Sequence, residues 1–142
     1  SLLAVEKGID RCRLPSLPAV VAAQARGIEV SRISLNPRRR GRALDSVEVA
    51  VYEAFEYAAR RQLKIIPSLE ELNETTLRYW APIYMKAACQ RCHGKKGLQI
   101  DAKTNKLLQE QFPEDQSFDF EEGALMGLWR IKMPKKEIIK NL

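Results

Sequence analysis

One histidine and three cysteines, His93 with Cys12, Cys89 and Cys92, are all the imidazole and thiol chemistry this 142-residue chain carries. That scarcity excludes a good deal. A closed structural zinc site needs four ligands at tetrahedral corners, and the adjacent Cys92 and His93 would be strained to hold one ion together. A metal gripped by two histidines of the same chain is excluded outright. No apolar run approaches the roughly 20 residues that cross a bilayer as a helix. Internal repeats and low-complexity stretches are absent, and no targeting segment is visible. The length suits one domain, 1–142, with enough chain to bury a sizeable core.

What is there centres on Cys89-Gln90-Arg91-Cys92-His93-Gly94. This is Cys-x-x-Cys-His, the attachment signature of a c-type haem. On a helical turn Cys89, Cys92 and His93 stand at i, i+3 and i+4 and share one face. Two thiols can add to the two vinyl groups of one haem, and the imidazole that follows can reach the iron as proximal ligand. A thioredoxin-like Cys-x-x-Cys is the competing reading, but it belongs at a strand-to-helix junction of a βαβ unit, and no such pattern surrounds this one. One covalently held haem c is therefore the expected cofactor. Haem c is attached outside the bacterial cytoplasm, so a periplasmic or other extracytoplasmic location is expected, with a leader or membrane anchor upstream of this stretch.

If Cys89 and Cys92 become thioethers, Cys12 is left over. It can be a buried thiol packing as a small hydrophobe, a partner for another chain, or an iron ligand. Met85, Met126 and Met133 compete for the sixth position, as His/Met is the usual cytochrome c pairing; water or a vacant site suits gas binding.

Lysine and arginine number 24 against 18 acids, a formal charge of +6. Arg38, Arg39, Arg40 and Arg42 cluster after Asn36-Pro37, but no nucleic-acid motif surrounds them, and a solvated or propionate-facing loop is the better reading. No nucleic-acid partner is expected. Arg32, Arg38 and Arg78 are candidates for the haem propionates. Tyr79, Trp80 and Tyr84 are candidate walls of the haem pocket, with ordinary core packing as the alternative.

Along the chain, Leu2, Val5, Ile9 and Cys12 fall at helical spacing over 2–13. Pro15 and Pro18 break that helix, and a second runs from Ala19 to Arg26 with Gly27 as its stop. Together 1–26 form an N-terminal helical segment. Residues 28–35 read as a strand whose alternation slips at Ser31-Arg32, marking a bulge or a strand end. Asp45 and Glu48 make a capping box for a long helix with Val47, Val51, Ala54, Phe55 and Ala58 on its apolar stripe. Ser68 and Glu71 suggest another cap, on a short helix through Leu72. Residues 77–85 are strand-like, with Pro82 placing that strand at an edge or interrupting it. The haem turn begins near Lys86, a partly helical stretch covers 101–112, and Trp129, Ile131 and Met133 alternate in a strand over 124–133. The tail, 135–142, is charged and expected to fray.

The pattern resembles the Tll0287-like haem domains. Four features carry the resemblance: Gly8-Ile9-Asp10-Arg11-Cys12; Val30-Ser31-Arg32-Ile33-Ser34-Leu35-Asn36-Pro37-Arg38; Tyr79-Trp80-Ala81-Pro82-Ile83 leading into the haem motif; and Glu122-Gly123-Ala124-Leu125-Met126-Gly127. The run Arg38-Arg39-Arg40-Gly41 departs from the family's usual Asn- and Pro-bearing loop. The resemblance implies an α+β, PAS-like fold with helices around a central antiparallel sheet and haem c in its pocket. It implies His93 and Cys12 as the axial iron ligands. It also implies a sensor of redox state or of a small gas such as NO or CO, passing its signal to a downstream domain or protein. A homodimer is expected by analogy with PAS-like sensors. An electron-carrying periplasmic cytochrome with a redox partner is the alternative. An enzyme is not expected, since with His93 spent on iron no distal histidine remains as an acid–base group.

Overall fold

Four antiparallel strands in the order β1-β4-β3-β2 organise the molecule. They are β1 (Glu29–Ile33), β2 (Ser68–Glu71), β3 (Thr76–Tyr84) and β4 (Leu125–Pro134). The helices are α1 (Leu2–Arg11), α2 (Pro18–Ala25), α3 (Ser46–Arg60), α4 (Gln90–His93), α5 (Ala102–Gln111) and α6 (Lys135–Ile139). A computed structural model describes residues 2–11, 14, 17–38, 41 and 43–140. Cys12 and the predicted basic-loop residues Arg39, Arg40 and Arg42 lie outside them.

Cross-strand partners share a face of a sheet, so the register sorts the strands' side chains. Trp80 faces Arg130, and Leu128 faces both Pro82 and Ile33. With Tyr52 and Phe55 of α3 and Leu125, the residues Trp80, Leu128 and Ile33 build the main core. The other face carries Tyr79, Ala81 and Ile83 beside Trp129 and Ile131, with Val30 and Arg32 on β1. None of these is fully buried.

The helix ends follow their local chemistry. Asp45 accepts from the Glu48 amide while Glu48 accepts from the Asp45 amide, closing the predicted capping box. At the end of α2, Gly27 takes φ +76°. Its amide donates to Gln24 and that of Ile28 to Ala23, a Schellman stop for which glycine has no steric cost.

Four local expectations are corrected. The buried face of α3 is Glu48, Tyr52 and Phe55; of the predicted stripe Phe55 is in the core and Val51 packs against it, while Val47 is half exposed and Ala54 exposed. Glu48 is wholly buried, with Arg130 of β4 reaching it at 2.8 Å, so an ion pair accommodates a charge on the core face of the helix. Ser68–Glu71 is a strand paired to Leu77–Trp80, since tertiary pairing outweighs a weak cap pattern. The register of β1 runs unbroken from Glu29 to Ile33, so Ser31-Arg32 is no bulge. The tail opens with helix α6, where buried Glu137 receives Arg26 at 2.8 Å, and this contact orders a segment expected to fray. Pro82 sits in β3 past the end of β2, with β4 as its sole strand neighbour, so its missing amide costs no ladder bond.

Candidate haem-attachment site

The segment 85–124 leaves the sheet at the end of β3 and returns at the start of β4. Its two ends are tied together, the Met85 amide donating to Ala124 and the Gly123 amide to Met85, both at 2.8 Å. Within it, a 3-10 turn (Ala87–Cys89) runs directly into α4. Cys89, Cys92 and His93 all fall in this short helical stretch and are half-buried, as the i, i+3, i+4 spacing predicts. Cys92 lies beside the small cluster of Ile9, Ile100, Leu108 and Phe112, where α1 meets α5.

Gly94 ends the turn because nothing larger fits. A Cβ there would lie 2.6 Å from the Gln90 carbonyl oxygen and 2.8 Å from Gln99 Cβ. The Gly94 amide donates to that same carbonyl at 2.9 Å. The loop after α5 then laces onto the turn: the Phe120 amide donates to His93 O at 3.0 Å, and the Asp119 amide to Gly94 O at 2.8 Å.

His93 Nδ1 lies 2.9 Å from the Ser117 carbonyl oxygen and 2.9 Å from Ser117 Oγ. A carbonyl only accepts, so Nδ1 carries the proton and Nε2 the lone pair. Among the described residues nothing bonds to Nε2, and no fully buried side-chain nitrogen or oxygen lacks a partner. Nε2 therefore opens onto accessible space. Burial, and then the Arg38 charge, lower the pKa of the imidazole to about 4, against the opposing pull of the Ser117 carbonyl and Asp115. At neutral pH the ring is uncharged, the state a metal ligand requires.

Arg38 anchors this arrangement. Its guanidinium donates to the Cys92 carbonyl, to the Ser117 carbonyl at 2.9 Å and to Asp115 at 3.3 Å. Asp115 also accepts from the Ser117 amide at 2.8 Å. Neither Asp115 nor Ser117 stands out in the sequence; the short Asp-x-Ser spacing of a side-chain-capped turn is the one signal there.

The other candidates disperse. Arg32 lies over Trp129, 5.7 Å from the ring centroid, and its charge also lowers the His93 pKa. Arg78 is bonded to Glu70 and lies over Trp80. Trp80 is buried on the α3 side, its indole donating to Glu70 at 3.3 Å. Tyr79 is on the opposite face, and Tyr84 is exposed at the end of β3. The sheet thus separates Tyr79 from Trp80. Of the methionines, Met85 is buried, and Met126 and Met133 are half-buried. Among the described residues no cluster of three metal-ligating His, Cys, Asp or Glu side chains forms, and no helix is long and apolar enough to cross a membrane.

Fold and site together define an α+β protein that holds a Cys-x-x-Cys-His turn between its two central strands. The profile of the Tll0287-like family matches residues 14–134, and the chain belongs to that family. A solved structure, that of the cyanobacterial haem protein Tll0287, is similar with a TM-score of 0.64 at 23% identity, over 82% of this chain and 67% of that one. At that identity the likeness speaks for the fold. No curated protein matches the chain.

Proposed function

We propose that this chain is a monohaem c-type haem protein acting as a sensor domain of PAS-like fold. Cys89 and Cys92 would supply the thioethers and His93 Nε2 the proximal iron ligand. The observation that carries the reading is the imidazole itself: neutral, tied through Nδ1 to Ser117, and open at Nε2. A hydrogen bond from the far ring nitrogen to a carbonyl is what fixes the tautomer and orientation of a ligating histidine. Bound there, a haem supplies a one-electron iron couple and a site for small gases.

The apolar, half-open sheet face of Tyr79, Ile83, Trp129 and Ile131 is the wall this reading assigns to the porphyrin, with Arg32 as a propionate partner. Cys12 is proposed as the distal ligand. Ile9, three residues before it, packs in the cluster that Cys92 flanks. An N-terminal helix packed on α5, with Ile9 in the cluster that Cys92 flanks, also supports a sensor, because a change at the iron could be felt by α1 and relayed to a downstream domain. We place the protein outside the cytoplasm, as a non-enzymatic domain able to dimerise. The second reading, an electron carrier, is favoured by the exposed Lys86, Arg91, Lys95 and Lys96 beside the turn, which would steer an acidic redox partner.

The test is to produce the chain together with the haem-attachment machinery. A mass gain of one haem and a Soret band are expected, and their absence ends the haem reading. Spectra of the ferric, ferrous, CO-exposed and NO-exposed protein then separate the roles. A coordination number that changes supports the sensor, and one that never changes supports the carrier.

A further inference from the structure

The Arg38 guanidinium is largely buried, its side chain 15% exposed, and the Asp115 side chain is 9% exposed. Its fork joins three acceptors from two separate stretches of chain: the Cys92 carbonyl on the attachment turn, the Ser117 carbonyl, and the Asp115 carboxylate. Behind it lies the Phe112 ring, 5.7 Å from the guanidinium carbon to the centroid. The residue before it, Pro37, accepts from the Gln116 amide at 3.0 Å. Arg38 therefore closes the loop after β1 onto both the turn and the 115–117 segment.

The Ser117 carbonyl is shared: it accepts from Arg38 and from His93 Nδ1, each at 2.9 Å. Whatever fixes that carbonyl fixes which imidazole nitrogen holds the proton. We propose that Arg38 is the positioning residue of the axial histidine rather than a propionate partner. By fastening Ser117 to Cys92 it sets the ring's tautomer and its approach to the iron. This rests on the haem reading above for its purpose, but not for its geometry. A lysine at this position has no planar fork and cannot span all three acceptors. The inference thus separates position from charge.

The experiment uses the full chain, haem-free and haem-loaded, as wild type, Arg38→Lys and Arg38→Met. Nitrogen NMR of the sole histidine reports the tautomer without any haem. Wild type is expected to be almost wholly Nδ1–H. Both variants should lower the ratio of Nδ1–H to Nε2–H roughly fivefold, the factor that one net hydrogen bond of about 1 kcal/mol carries. In the loaded ferrous protein, resonance Raman should show the iron–histidine stretch at lower frequency in both variants, because a slackened Nδ1–H bond leaves a less basic ring. A tautomer ratio unchanged in both variants overturns the proposal. So does an Arg38→Lys protein indistinguishable from wild type, which would reduce Arg38 to a charge. If Arg38→Met does not fold, Asp115→Asn, which removes the anchoring charge at constant size, carries the same test. A wild-type chain that takes up no haem sinks the haem reading while the tautomer measurement still decides this one.

Discussion

Because His93 is the sole histidine, its titration can be followed with no competing signal. In the haem-free chain its pKa is expected near 4 rather than 6.5, held down first by burial and next by Arg38. The unfolded chain, with its ring at the ordinary value, binds more protons below pH 6.5 than the folded one does. The associated stability is therefore complete above pH 6.5 and is lost as pH falls toward 4. A displacement from 6.5 to about 4 is worth about 3 kcal/mol, at roughly 1.4 kcal/mol per pH unit. Among the described residues, Glu137 and Asp101 are carboxylates whose pKa values are lowered, from 4.5 and 3.8, so their own contributions fall mainly below the range in which the unfolded imidazole takes up its proton. Urea unfolding of the haem-free chain at pH 7, 6 and 5 should show the loss, and His93→Gln should flatten it. Proton NMR of the ring should give a midpoint near 4. A midpoint near 6.5, or a His93→Gln chain with the same pH slope as wild type, would refute the reasoning. In the haem-loaded protein an imidazole committed to iron should not titrate in this range at all.

Gly94→Ala should destabilise the chain by about 1–3 kcal/mol, because its nearest obstacle, the Gln90 carbonyl at 2.6 Å, is backbone and cannot swing aside. Urea midpoints would measure this, and a neutral substitution would mean the turn relaxes more easily than its contacts suggest. Cys12→Ser should alter the ferric optical spectrum of the haem-loaded protein, and an unaltered spectrum would remove Cys12 as the distal ligand.

The placement of Cys89, Cys92 and His93 together was legible because their i, i+3, i+4 spacing is local, and one helical stretch delivers all three without help from the rest of the fold. The Asp45 box, the Gly27 stop and the β3 and β4 strands were readable for a similar reason, since each is a local pattern. The failures were all cases where a distant partner decided the outcome. Glu48 was readable as the partner in the Asp45 box, but not as a residue of the core, which takes Arg130 reaching it from β4. Ser68–Glu71 looked like a capped helix, yet β3 offered it a ladder. Arg38 was readable only as one of three propionate candidates, while the three acceptors it meets lie 54 to 79 positions away in the chain. Ser117, which bonds the imidazole, carries only the short Asp-x-Ser spacing of a capped turn, a signal of local geometry and not of its distant partner.

The knot of bonds between Met85 and the Gly123–Ala124 pair makes 85–124 a bay with a narrow mouth. Both its ends hang from neighbouring points on two strands that are already zipped together, while Pro37 and Arg38 moor its interior to the loop after β1. Residues can be gained or lost along its shore without sliding either strand, whereas a slip of a single position at the mouth would reset the whole bay against the sheet. Engineering that seeks to retune the attachment turn can work within the bay and leave its mouth untouched.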